Sequence, residues 1–305
     1  MTDQSKIPLP AGGPSLIERA SGAFDFRTLA RPVVPDLPPA PAPRVVAAPA
    51  PQPVAKTEPP VRAFTGERHA VDHAHLREQC LIEPEGGVTG LLEEFRIVKR
   101  QLLRTAADER IEHARRILVA SAHPGEGKTF CAVNLALSMA AEKDTEVLLV
   151  DADFAKPSVL STLGLPGGKG LMDALADPAI AVEDCILGTD IAGLFVLPAG
   201  NATGSDTEYL ASARTEEVLA RLTANAPNRV VIFDSPPVLA ASPASVLAHH
   251  VGQTVMVVRA DVTGEAALRD AVGLLSACDD IKLLLNSTRF STTGRRFGTY
   301  YGYKE

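Results

Sequence analysis

The sequence predicts an α/β, doubly wound domain built on a mostly parallel sheet. Three observations carry this prediction. Short runs recur that are apolar throughout rather than alternating, as in strands buried on both faces of a parallel sheet. Helical patterns separate them, and strands alternating with helices wind into such a sheet. A Gly-rich loop follows the first run and opens a helical stretch, the position at which a doubly wound sheet carries its ligand loop.

Taken in order, residues 1–75 stand apart. Fourteen of the 24 prolines lie in residues 1–60, and Pro32 to Pro60 is Pro, Ala and Val with few charges. Proline removes backbone donors and fixes φ, so an extended, disordered linker is expected. Ser15-Leu16-Ile17-Glu18 has the form of a capping box before Arg19, Ala20 and Phe24, which predicts a short helix near 15–24. That helix reads equally as a docking peptide on a tether or as a nascent helix without a partner. Folded structure is expected from near His75, with one domain over 76–290. Its first element is a helix over Val88 to Ala107, where Leu91, Phe95, Val98 and Leu102 recur at helical spacing and Glu93, Arg96, Arg100 and Arg104 fall on the other side. The strand candidates are Ile117–Ala120, Val147–Val150, Leu194–Leu197, Val230–Phe233, Val255–Val258 and Leu283–Leu285. A mobile tail is expected over residues 291–305, which hold Tyr300, Tyr301 and Tyr303, three of the four tyrosines.

The loop after the first strand reads Ala122-His123-Pro124-Gly125-Glu126-Gly127-Lys128-Thr129. This is a Walker A pattern with Ala in the first Gly position. Gly125 and Gly127 permit close approach of backbone N–H groups to phosphate oxygens, and the helix that opens near Lys128 turns its positive end to the anion. Lys128 is placed for the β/γ-phosphates and Thr129 for Mg²⁺. Pro124, Gly125, Glu126, Gly127, Lys128, Thr129 and Phe130 are therefore the nucleotide-binding candidates. Two strands end on carboxylates at the same sheet edge, Asp151-Ala152-Asp153 and Asp234-Ser235-Pro236-Pro237. Hard oxygen ligands of this kind suit Mg²⁺. Any one such Asp also serves as an ordinary helix cap.

A net charge of −7 and a pI near 5.6 exclude a bulk polyanion binder, so no nucleic acid partner is expected. Cys80, Cys131, Cys185 and Cys278 form no CxxC; Cys131 and Cys278 fall in apolar helical patterns and read as buried small hydrophobes in a reducing cytosol. His69, Asp72, His73, His75 and Cys80 fit no standard zinc spacing and read as a polar linker end. No run approaches a membrane span, and the N-terminus lacks a signal-peptide core.

With these motifs placed, residues 88–305 resemble the bacterial tyrosine kinases, P-loop enzymes that phosphorylate tyrosines in their own C-terminal tails and control exopolysaccharide or capsule synthesis. Asp151-Ala152-Asp153 stands at the family's Walker A′ and Asp234-Ser235-Pro236-Pro237 at its Walker B. Glu93 to Arg100 is similar to its Glu-x-x-Arg-x-x-Arg oligomerisation helix, with Lys99 at the last basic place; Glu93, Arg96 and Arg100 are the interface candidates. The segment Glu94 to Arg100, with Ser15 to Arg19, most resembles the subgroup encoded beside exosortase loci. The resemblance implies ATP and Mg²⁺, with Lys128 at the transferring phosphoryl group and Thr129, Asp151 and Asp234 at the metal. Asp151 or Asp153 would be the base for the tyrosine hydroxyl, Tyr300, Tyr301 and Tyr303 the acceptors, and Asn286, just after the last strand, an adenine contact. It further implies a ring-like homo-oligomer such as an octamer, a separate membrane co-polymerase protein as activator, a tyrosine phosphatase, and a cytoplasmic kinase held peripherally at the inner membrane through its partner.

Some residues depart from the family. Ala155 stands where a basic residue is usual, with Lys156 next, and Tyr209 replaces a usual Leu and reads as packing. The wider relatives, septum-site and plasmid-partition ATPases, carry an extra Lys early in the loop. Ala122, His123 and Pro124 occupy that stretch here, which separates the kinase reading from a positioning ATPase and leaves open a scaffold whose nucleotide site only sets assembly. Arg289, Arg295, Arg296 and Lys304 against Glu305 make the tail basic beside an acidic protein. Each phosphate adds about −1.5 to −2 charges, so tail phosphorylation is expected to favour release from a neighbour's site.

Overall fold

A computed structural model describes residues 64, 67–84 and 86–288. The linker, the 15–24 helix and the tyrosine tail expected from the sequence lie outside the described residues. In chain order the elements are β1 (Arg68–His69), α1 (His73–Glu78), α2 (Gly90–Ala106), β2 (Arg116–Ser121), α3 (Lys128–Ala140), β3 (Glu146–Asp151), α4 (Val159–Leu163), α5 (Leu171–Ala176), β4 (Leu187–Thr189), β5 (Leu194–Leu197), α6 (Asp206–Leu210), α7 (Ala213–Thr223), β6 (Arg229–Asp234), α8 (Pro243–Leu247), β7 (Gln253–Arg259), α9 (Glu265–Leu274) and β8 (Ile281–Asn286). They build one sheet in the order β1-β4-β5-β3-β6-β2-β7-β8, parallel throughout except for the β4·β5 pair.

The six expected strands are present, each within two residues of its expected ends. The central ones are buried on both faces because helices cover both. On one face Ile117, Val119, Val147, Leu149 and Ile232 pack with Phe95 and Leu102 of α2 and with Val133 and Leu137 of α3. On the other, Leu118, Leu148, Val150 and Phe233 pack with Leu219 and Leu222 of α7 and Leu247 of α8. Tyr209 packs against this second face, as expected.

Three expectations need correction. Ordered structure begins upstream of His75: β1 pairs with β4 and Val71 is buried. Neither of these two strands was legible, because runs of two and three residues carry no periodicity. The last strand is not buried on both faces. β8 is the sheet edge, and Leu283 and Leu285 are 60 % and 59 % exposed. The long helix runs over Gly90–Ala106, started by the Thr89 hydroxyl, which accepts from Leu92 N at 3.1 Å. Within it, Lys99 is buried rather than presented with the other basic residues: its Nζ donates to the Ser138 carbonyl at 2.6 Å and pairs with Glu142 at 2.8 Å.

No described helix is long and apolar enough to cross a membrane. The cysteines are free thiols, with Cys80 exposed and the other three buried. Burial, with a smaller contribution from the Asp234 charge, pushes the Cys131 thiol up to about 12, and burial pushes Cys185 up to about 11. Since the thiolate is the reactive form, iodoacetamide near neutral pH should alkylate the native protein at Cys80 alone. Peptide mass spectrometry checks this, and modification of Cys131 before unfolding would contradict it.

Candidate active site

The expected phosphate loop joins β2 to α3 at the C-terminal edge of the sheet, with the ends of β3 and β6 alongside. Strand register sets the acids level with one another: Asp151 pairs with Asp234, and Asp234 with Val119. Gly125 and Gly127 take φ values of 79° and 93°, in the left-handed region that favours glycine. At Gly127 there is also no room, since an added Cβ would lie 2.2 Å from Asn286 Nδ2.

Lys128 lies between two carboxylates, with Nζ 3.0 Å from Asp153 Oδ2 and 3.9 Å from Asp234 Oδ1. Thr129 Oγ1 donates to Asp234 Oδ2 at 2.6 Å and lies 3.3 Å from Ser158 Oγ. Asp234 is fully buried, and its Oδ1 has no hydrogen-bond partner. Burial pushes its carboxyl up to about 7, against the opposing pull of the Lys128 charge and the Thr129 hydroxyl. A buried oxygen left unpartnered costs free energy unless a further donor or cation meets it. With the Thr129 hydroxyl beside it, the donor set is the hard oxygen kind that Mg²⁺ takes.

The two acids after β3 have different surroundings, which the sequence could not separate. Asp151 Oδ2 accepts from the N–H groups of Ser158 (2.8 Å) and Val159 (2.9 Å), and Oδ1 from Asp153 N (3.2 Å). Burial pushes its carboxyl up while these three backbone bonds pull it down. Its oxygens hold the turn into α4. Of these two acids, Asp153 is the one that meets Lys128.

The other candidates are placed as follows. Pro124 is exposed in the loop, and Phe130 packs partly buried against the α2–α3 core face. Glu126 is 3 % exposed, and its carboxylate accepts from His123 N and the Thr263 hydroxyl. Asn286 closes β8 rather than following it, and its amide donates to the Glu126 carbonyl at 2.9 Å. Lys156, like Ala155, is exposed. Glu93 and Arg96 pair with each other on α2, and Arg100 is exposed there. Tyr300, Tyr301 and Tyr303 lie outside the described residues. His73 pairs with Asp190 and Asp72 caps α1, so the polar stretch before Cys80 does not converge. Sequence reading missed Ser158, Arg259 and Thr263. Only Ser158 carried a signal, as a serine directly before an apolar helical run.

The AAA domain family matches residues 114–286. The tyrosine-protein kinase YwqD of Bacillus subtilis is 29 % identical over 215 residues, covering 70 % of this chain and 87 % of that protein. The tyrosine-protein kinase wzc of Salmonella typhimurium is 31 % identical over 191 residues; the match covers 62 % of this chain but spans only 26 % of that much longer protein. Among solved structures, the chimerical protein CapA2B2 superposes with a TM-score of 0.58 at 25 % identity, over 73 % of this chain and 94 % of that one.

Proposed function

The chain belongs to the AAA domain family, and we propose that, like the tyrosine-protein kinases it is similar to, it transfers the γ-phosphoryl group of ATP to tyrosines of its own C-terminal tail. The observation that carries this reading is Lys128 held between Asp153 and the unpartnered oxygen of Asp234 at the strand ends. Phosphoryl transfer needs positioning and charge neutralisation more than covalent chemistry. In this reading the Lys128 ammonium steadies the transferring group, and the Gly125–Thr129 backbone cradles the phosphates. Asp153 accepts the proton of the attacking tyrosine hydroxyl, whose ordinary pKa of about 10 makes a nearby base useful. Thr129 and Asp234 would hold Mg²⁺, which when bound supplies positive charge at the phosphate oxygens.

Tyr300, Tyr301 and Tyr303 are the proposed acceptors, offered in trans within a ring-like oligomer of the kind that Glu93, Arg96 and Arg100 would build. Exopolysaccharide synthesis is the proposed process. A separate membrane co-polymerase protein as activator, and a tyrosine phosphatase, complete the proposed set of partners.

Incubation of the full chain with Mg-ATP should produce phosphotyrosine, detected by antibody and mapped by mass spectrometry. Changing Tyr300, Tyr301 and Tyr303 together to Phe should remove it. ATP hydrolysis without phosphotyrosine would instead support a positioning ATPase.

A further inference from the structure

The phosphate loop is gripped from behind by side chains of three segments. Ser121 Oγ donates to the His123 carbonyl at 2.9 Å, Arg259 Nη1 to the Gly125 carbonyl at 3.4 Å, and Asn286 Nδ2 to the Glu126 carbonyl at 2.9 Å. In a planar trans peptide the C=O and the following N–H point opposite ways. With the Gly125 and Glu126 carbonyls drawn outward, the N–H groups of Glu126 and Gly127 are turned inward, where a phosphate would accept from them.

The Glu126 carboxylate closes this arrangement. A negative charge in a phosphate loop would repel the ligand if it swung free, and here it is buried with both oxygens engaged. Oε2 accepts from His123 N at 2.9 Å and Oε1 from the Thr263 hydroxyl. Thr263 is itself fixed: its Oγ1 accepts from Arg259 N at 2.9 Å, and its N–H donates to the Arg259 carbonyl at 3.0 Å. Ala260 N joins the same segment to β8 through the Asn286 carbonyl at 2.9 Å. Without the Thr263 hydroxyl, one buried carboxylate oxygen loses its partner and the loop loses its tie to the β7–α9 connection.

We propose that Thr263 is a positioning residue for nucleotide binding, holding the Glu126 carboxylate away from the phosphates and the loop in its amide-inward shape. This rests on the phosphate-site reading above but not on tyrosine being the acceptor. The test is calorimetric titration of the full chain with Mg-ADP, at a temperature where circular dichroism shows each variant folded. Leaving a buried charged acceptor unpaired predicts about tenfold weaker binding for Thr263→Val, with Thr263→Ser restoring the native affinity to within about twofold. Phosphotyrosine formation by Thr263→Val should show a raised KM for ATP with kcat nearly unchanged, a split that general loosening of the fold would not produce. Thr263→Ala is the second variant, removing the hydroxyl without placing an added methyl against the carboxylate. Native affinity in either folded variant, or failure of Thr263→Ser to restore binding, overturns the proposal. Wild-type binding of Mg-ADP without any phosphotyrosine would overturn the kinase reading and leave the Thr263 result to be read on affinity alone.

Discussion

Replacing Lys128 with Met is expected to cut phosphotyrosine formation by roughly 10²–10³-fold, the usual cost of removing one preorganised charge-stabilising group. Lys128 lies 3.0 Å from Asp153 and 3.9 Å from Asp234, with Asp151 level with Asp234 on the neighbouring strand. Its loss leaves these acids without that compensating charge just where phosphate must enter. It also removes the strongest influence holding the Asp234 carboxyl down, so Asp234 should bind a proton more readily and serve a metal less well. Met keeps the length and apolar stem of the side chain, so the circular dichroism spectrum should match the native one. The measurement is an anti-phosphotyrosine blot over time at fixed Mg-ATP. Activity within a few-fold of native would rule out the assigned role of Lys128.

Phe233→Ala should destabilise the protein by about 3–5 kcal/mol, a large part of the roughly 5–15 kcal/mol that holds a domain folded. Phe233 has no solvent exposure and sits in β6, in register with Leu118 of β2 and Val150 of β3. Its ring packs in the core face shared with Leu219, Leu222 and Leu247. Flanking strands that are themselves paired cannot collapse freely into the space left behind, so most of the cavity cost should persist. Urea titration gives the free energy, and for a domain of this size the melting midpoint should fall by roughly 10 °C. A loss below about 1 kcal/mol would mean that the sheet relaxes around the cavity. Because Asp234 follows directly in the chain, the variant should also weaken Mg-ADP binding at temperatures where it remains folded.

The central strands were legible because burial on both faces of a parallel sheet leaves an unbroken apolar run. Val147–Val150 and Val230–Phe233 carry that run without interruption. Leu283–Leu285 carries the same local pattern, yet two of its three side chains face solvent. A run of leucines states that a strand forms but not whether a further strand or helix lies beyond it. Lys99 shows the same limit in a helix. The family resemblance sets it among the interface residues, but it lies one helical turn from Phe95 and from Leu102, and there the end of α3 offers a carbonyl and Glu142 a charge that hold the ammonium inside.

By itself the sequence determined the phosphate loop, the strand that feeds it and the helix that leaves it, because that motif is contiguous and its chemistry is local. It also determined that acids stand at the ends of the neighbouring strands. Which acid serves Lys128 was decided only by the tertiary structure. Asp151 and Asp153 are two residues apart and chemically identical, and they differ because backbone amides at 158 and 159 meet one while Lys128 meets the other. The setting of the Glu126 carboxylate was likewise decided at long range, by a hydroxyl 137 residues away in the chain. A carboxylate's role follows from the donors around it, and distant segments bring those donors together only when the sheet closes.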